Sequence, residues 1–528
     1  HTVGTVVIRF RGHLVVAQTI IPGVFTGDWS DKLLCGSTEP SQPFAWRDDE
    51  FIAKMNDAAE KLHIAARSVV DGAGETVTTS ASLETKGIKG TDGRYYIIDL
   101  GGALPRDTNW LDNTANSNIV HTPKALHMFL ASRTLQHRIE YTRKHVAARS
   151  AAAGDADAPA DADPNAPAAD NAEVAPAAGD AVAEAKAAAE AKAAADAPAP
   201  EAGEPTGEPS AGLPEFEPLE PMLFNVNLFR SVSFPDADAE LIEADKANLE
   251  ALGAFVNDQV VPTVVKKLLS VERPSNAVAL ADMMADYGLQ PRYLGRVRAR
   301  IPTQAAVAVK LVTTEMVVTV AADVYNVLVR DVPAHVLGAS TAHFLNCLFS
   351  TSSLSADDAP VMVRKARAAT RAAAARRLAL AHGKTVSLDD VVFMGELTRT
   401  SLWELLNARG VAHFGVELFP APAEGDDSPA YILSNDTWSG ENAFDSLRSF
   451  CEKTGLQLNA AAPLAIKERV PFTPAHILDL QPRVYFNRDT ATTNDTLDRA
   501  TKALQHGKPE LAVRYLRLVQ DVCLRRTG

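Results

Sequence analysis

The chain has 528 residues, 46% hydrophobic and 22% charged, with a formal net charge of −14. Such proportions predict a soluble globular chain of three or four domains with sizeable cores. They exclude a collagen-like repeat, a wholly disordered chain and a disulfide-stapled mini-protein.

From the N-terminus, the β-branched runs VGTVVIRF and HLVVAQTII predict two strands joined at Arg11-Gly12 as a hairpin. Phe51, Ile52, Met55, Ala58, Ala59 and Leu62 follow the helical period, with Asp48 placed to cap. A turn at DGAG leads back to strands over residues 76–100, where Asp92-Gly93 supplies the positive φ angles of a tight hairpin turn. This first region reads as α+β.

Residues 151–212 differ from everything around them. They hold 28 alanines, 13 acidic residues, two bases (Lys186 and Lys192) and no aromatic residue. The stretch carries −11 of the charge and leaves −3 for the other residues. With too little apolar surface to offset its ordering entropy, it is expected to be a disordered linker with at most a transient helix near Ala181–Ala195.

Beyond residue 239 the pattern is mostly helical. Leu241, Leu249, Leu252, Phe255 and Val256 open one helix, which Pro262 should bend or break. Further helices are predicted at Ala277–Tyr287, Ala305–Val329, His335–Phe349, Val361–Ala381, Ser401–Asn407 and Ala443–Thr454. In FTPAHILDL, Thr473 and Pro474 read as a helix start. The last segment, from DTLDRATKAL onward, reads as two helices about His506-Gly507-Lys508, like one tetratricopeptide hairpin. Residues 303–330 and 332–356 are apolar in bulk, but charges interrupt the first, and proline, histidine and a serine/threonine cluster the second. Core helices fit better than bilayer spans. With no secretory leader and four scattered cysteines (Cys35, Cys347, Cys451, Cys523), a reducing, cytoplasmic location is expected. The first residue, His1, reads as the start of a fragment.

Dedicated catalytic motifs are missing. There is no G-x-x-x-x-G-K-[ST], H-E-x-x-H, G-x-S-x-G or G-x-G-x-x-G. His335 and His343 could share a helix face but have no carboxylate at metal-ligand spacing, so ordinary core or surface histidines are expected. Asp99-Leu100-Gly101 superficially echoes a kinase metal-binding triplet, yet the other parts of that machinery are lacking. Neither a catalytic residue nor a metal or cofactor is expected.

What remains is basic. Arg364, Lys365, Arg367, Arg371, Arg376 and Arg377 lie in one acid-free run, and Arg364, Arg367 and Arg371 fall at i, i+3 and i+7. Arg292, Arg296, Arg298 and Arg300 cluster near Tyr293. Both groups are candidate phosphate contacts for RNA, or the run is a dock for an acidic partner; a plain solvated helix, or one neutralising the acidic linker, is the alternative.

The runs RGHLVVAQTIIPG, DWSDKLLCGS, DDEFIAKMNDAAEKLHI and ETKGIKGTDGRYYIIDLGGALPRDTNW resemble, in order, the Clu domain of the clustered mitochondria family. LFNVNLF and VVPTVVKKLLS continue the likeness. YGLQPRYLGRVRARIP, TTEMVVTVAADVYNVLV, HVLGASTAHFLNCLFS and SLWELLNARGVAHFGVEL resemble its central domain, shared with a translation initiation factor three-associated protein. DLGG and the acidic insert depart from the family pattern. The resemblance implies an α+β Clu domain over 1–150 and 214–273, split by the linker at 151–213. A mainly α-helical central domain over 274–490 and a tetratricopeptide-like helical hairpin over 491–528 follow. It further implies a cytosolic, non-enzymatic factor that binds messenger RNA for mitochondrial proteins, associates with ribosomes or translation initiation factors, and keeps mitochondria distributed. A protein scaffold recruiting ribosomal or mitochondrial outer-surface partners without touching RNA is the alternative, and membrane insertion is not expected.

Overall fold

The computed structural model describes residues 3–26, 32–37, 42–113, 116–153, 219–349, 361–382, 393–418, 441–468, 470–481 and 483–485. The acidic linker beyond residue 153 and the tetratricopeptide-like hairpin therefore lie outside the described residues. Within them an α+β N-terminal region is followed by a mainly helical one.

Strands β1 (Thr5–Phe10) and β2 (His13–Gln18) form the expected hairpin, with Val7 opposite Val16. Arg11 and Gly12 both have positive φ, 48° and 74°, the pairing that lets a two-residue turn follow the twist of its strands. A four-stranded antiparallel sheet comes next, ordered β4-β3-β7-β8, from β3 (Leu33–Gly36), β4 (Ala45–Trp46), β7 (Lys86–Lys89) and β8 (Tyr95–Ile98). Helix α1 (Asp49–Lys61) covers it, burying Phe51, Met55 and Ala59, one residue per turn. The Asp48 carboxylate accepts the Phe51 N–H at 3.1 Å and the Tyr95 hydroxyl at 3.2 Å, so the cap also joins helix to sheet. Strands β5 (Arg67–Val70) and β6 (Thr76–Thr79) make a separate hairpin.

Helix α2 (Pro123–Ala153) leads away from this region, and at residue 219 the described chain resumes against it. The Phe224 N–H donates to His63 O at 2.7 Å, and Ala65 N–H donates to Phe224 O at 2.9 Å. Asn227 donates from Nδ2 to Ala81 O at 3.0 Å and accepts the Leu83 N–H at 3.1 Å. Asn225 Nδ2 donates to Asp245 at 3.1 Å, and Arg67 grips the same carboxylate at 2.7 and 2.6 Å. Alternating asparagines and apolar residues in LFNVNLF thus serve a buried strap, amides to backbone and rings to core.

The helical region begins with α3 (Ala239–Phe255) and α4 (Val261–Leu269). Pro262 does not break this helix. A π-turn at Val256–Val260, in which the Val261 N–H reaches Val256 O, separates the two segments and leaves Pro262 in the first turn of α4. Then follow α5 (Ala277–Asp286), α6 (Leu294–Arg300), α7 (Ala306–Val329), α8 (Leu337–Phe349), α9 (Val361–Lys365), α10 (Arg367–His382), α11 (Arg399–Phe414) and α12 (Glu441–Thr454). Apolar on nearly every side, α7 is the central rod, packed by α11 and α12. Tyr325, Phe344 and Phe450 meet with ring centroids 5.2–5.8 Å apart, and the Tyr325 hydroxyl bonds Thr341 at 2.8 Å.

Two expectations are corrected. Thr473-Pro474 starts only a single 3₁₀ turn, because Ile477–Leu480 (β10) pairs with Leu456–Leu458 (β9); α13 (Ala462–Glu468) lies between them. His335 is exposed whereas His343 is buried and bonded through Nε2 to Leu397 O at 2.8 Å, so they do not share a face. The helix expected over Val361–Ala381 is there as α9 and α10, and across the joint the Ala366 N–H donates to Met362 O at 3.1 Å and the Thr370 N–H to Ala366 O at 3.0 Å. Strand β11 (Arg483–Tyr485) then returns to the N-terminus and pairs with β1, Ile8 facing Val484.

Gly12 sets how the N-terminal hairpin meets α7. A Cβ there would lie 1.7 Å from Asn326 O, and Arg330 Nε donates to Gly12 O at 2.6 Å. Gly93 has a similar φ of 77° but open space around it. Denaturant unfolding should therefore show Gly93→Ala costing about 1 kcal/mol of backbone strain, and Gly12→Ala at least about 2 kcal/mol. Equal costs would mean that the hairpin does not press on α7.

Burial pushes the imidazoles of His121 and His343 below their ordinary value near 6.5, and for His121 the Asp107 carboxylate at 3.6 Å only partly opposes this. The native state then binds fewer protons than the unfolded chain. This contribution is complete above pH 6.5 and is lost as the pH falls below it. Thermal melts from about pH 7.5 to about pH 5 should show Tm declining on the acid side, with a shallower decline in His343→Gln. An unaltered slope in the variant would remove His343 from this account.

Candidate nucleic-acid interface

The basic run divides between α9 and α10, and its side chains meet different fates. Arg364, Lys365 and Arg376 are exposed. Arg367 pairs with Glu396, and the Arg371 guanidinium lies 5.2 Å from the centre of the Phe393 ring. Arg377 donates from Nε and Nη2 to Asp331 at 3.0 and 2.9 Å, a bidentate grip that raises its already high pKa. Val363, Ala366, Thr370 and Ala374 turn inward, so an apolar stripe seats the helix while its outer side stays cationic.

In the second group Arg292, Arg296 and Arg298 are turned into the molecule, and Arg300 is exposed. Arg292 reaches Gln290 at 3.1 Å and also the Asn116 side chain, and burial lowers its pKa. Arg296 donates to Asn257 Oδ1 at 2.9 Å and to Asn109 O, and its guanidinium sits 5.0 Å from the Trp110 ring centre. Arg298 donates to Thr313 Oγ1 at 3.0 Å, and Arg300 lies 3.8 Å from Asp258. The Tyr293 hydroxyl donates to Asp107 at 2.6 Å, and burial raises its pKa. Arg292 and Arg296 hold α6 and the turn before it against residues 109–116 and the π-turn, and Arg298 ties α6 to α7; these three do not form a free cationic patch.

Four structural partners were out of reach of sequence reasoning: Asp331, Glu396, Phe393 and Trp110. No spacing rule links Asp331 to Arg377 or Trp110 to Arg296, since tertiary packing alone brings them together. Further exposed cations, Arg143 and Lys144, stand on α2. Among the described residues no group of histidine, cysteine, aspartate and glutamate could hold a metal ion, and no helix is long and apolar enough to cross a membrane.

A family model described as Clustered mitochondria matches residues 1–110, and one described as Translation initiation factor eIF3 subunit 135 matches residues 271–462. The chain is 26% identical to the clustered mitochondria protein of Arabidopsis thaliana, over 90% of this chain and 32% of that protein. Homologues from Dictyostelium discoideum (24% identical, 98% of this chain, 35% of the homologue) and Caenorhabditis elegans (26%, 87% and 36%) are similar to it as well. The chain thus spans about a third of the length of these relatives. No solved structure matches it.

The two arginine groups should separate in a stability measurement. Arg296→Ala removes two hydrogen bonds and a ring contact and should cost about 2–3 kcal/mol in denaturant unfolding. Arg364→Ala and Arg376→Ala should stay within about 0.5 kcal/mol of the parent. A marginal cost for Arg296→Ala would return that residue to the pool of free surface cations.

Proposed function

We propose that this chain, a relative of the clustered mitochondria proteins over most of its length, is the part of a cytosolic, non-enzymatic factor that binds messenger RNAs for mitochondrial proteins. In that role it would act with ribosomes or initiation factors in maintaining mitochondrial distribution. The observation that carries this reading is the coexistence, in one chain, of the clustered mitochondria match at 1–110 and the initiation-factor subunit match at 271–462. The initiation-factor match also contains α9 and α10, whose exposed cations suit phosphate contacts.

Arg364, Lys365 and Arg376 are the proposed phosphate contacts, with Arg367 and Arg371 beside them. Such binding is weakly sequence-specific and strongly salt-dependent, because each neutralised phosphate releases counterions. Arg377 is poorly suited to a test, since reversing its charge would confront Asp331 with a second acid and report on folding. Arg292, Arg296 and Arg298 share that drawback.

The combined variant Arg364→Glu, Lys365→Glu, Arg376→Glu should keep the parent melting temperature and lose about tenfold or more of the RNA recovered by in-cell crosslinking. Its residual binding should show a salt slope shallower by about two units. Undiminished recovery would refute the assignment to α9 and α10. Co-purification of ribosomal partners that survives ribonuclease would favour the scaffold alternative.

A further inference from the structure

A cleft of about 850 Å³ opens in the N-terminal region, between the four-stranded sheet and the segment that follows the LFNVNLF strap. Its wall contains three acids and three bases: Asp71, Glu84, Asp99, Lys86, Arg106 and Arg230. Counted alone they cancel, but their partners show that they do not cancel locally.

The Asp71 carboxylate is taken up by backbone N–H groups, those of Phe44 at 2.8 Å and of Ala73 and Glu75 at 2.9 Å. Asp99 pairs with Lys86 at 3.1 Å. Glu84 pairs with Arg230 at 2.8 Å, and Arg230 spends its other donors on Val226 O and Gly102 O. Arg106 has no such partner. It is 6% exposed, its Nη1 reaches a single carbonyl, Ser117 O, at 3.4 Å, and its Nε has no acceptor among the described residues. Burial, and then the like charge of Arg230, disfavour its charged form, and the carboxylate of Glu84, already paired with Arg230, offsets them only in part. A guanidinium stays protonated even so, and a buried cation without a counter-ion of its own is among the costliest arrangements in a folded chain.

We propose that the cleft binds the phosphoryl group of a small, nucleotide-sized molecule, which supplies the counter-charge that Arg106 lacks. The planar guanidinium fork matches a phosphate's oxygens, and Ser82, Ser231 and Ser233 place neutral hydroxyl donors in the same wall. The volume falls within the range of small-molecule sites. A recessed pocket with one unpaired cation does not suit an extended nucleic-acid backbone, which prefers an open basic groove. The site is independent of the RNA reading, since none of the residues proposed there for RNA contact lines it.

The test is calorimetry and thermal shift on the whole chain with ADP, pyrophosphate and inorganic phosphate, against acetate and a short oligouridylate. At least one phosphate probe should bind and raise Tm, while acetate and oligouridylate leave the cleft unoccupied. Arg106→Gln should weaken that binding about tenfold or more, and Arg106→Lys, which keeps the charge but loses the fork, should also weaken it. Should Arg106→Gln fail to fold, Arg106→Lys decides alone. Binding should be intact in the Arg364→Glu, Lys365→Glu, Arg376→Glu variant, which separates this site from the RNA surface. The proposal falls if no phosphate probe binds at ~10 mM, if affinity is the same in Arg106→Lys, or if acetate or oligouridylate binds through Arg106 in place of the phosphate probes.

Discussion

The Asp245 carboxylate, with its side chain 1% exposed, is the tie on which the two halves of the α+β region depend. Arg67 comes to it from the β5–β6 hairpin, Asn225 from the strap, and Asp245 itself belongs to α3. A hairpin 178 residues upstream and a strap 20 residues upstream are thus fixed to one charge. Loss of a single partner from a buried, hydrogen-bonded pair typically costs about 3–5 kcal/mol, because the other charge is left stranded. This tie holds the strap under Phe129, carries α3 and the π-turn behind it, and so supplies the surface against which Arg296 and Trp110 pack.

Local rules sufficed where local physics decides the outcome. Arg11-Gly12 and the Asp48 cap each depend on a few neighbouring residues, and each is found where the pattern puts it; at Asp92-Gly93 the chain does turn, but Gly93 alone takes the positive φ expected of both residues. The same rules failed at FTPAHILDL. Its threonine and proline do nucleate a turn, but pairing of Ile477–Leu480 with β9 outweighs continuation as helix. At Pro262 the chain does not break, since a wider turn upstream leaves the proline in the first turn of the next segment.

Charge was the least legible feature. Arg296 and Arg376 look alike in sequence, and both sit on helices rich in arginine. One lies across Trp110 and bonds Asn257, and the other stands in solvent. The difference lies in residues 39 and 186 positions away, Asn257 and Trp110, which no periodicity reports. Arg106 shows the converse: it stood in no basic run, so counting cations passed over the one whose surroundings are least able to balance it.

Strand β1 has β2 on one side and β11 on the other, Ile8 facing Val484. During synthesis, therefore, β1 and β2 leave the ribosome long before β11, and the sheet waits for its third strand. At ~5–20 residues per second the gap is on the order of a minute, during which one edge of β1 offers unpaired backbone groups to any strand that passes. The exposed valines of β2, Val15 and Val16, lengthen that invitation. Until α7 has also been made, the hairpin lacks the helix against which Gly12 packs.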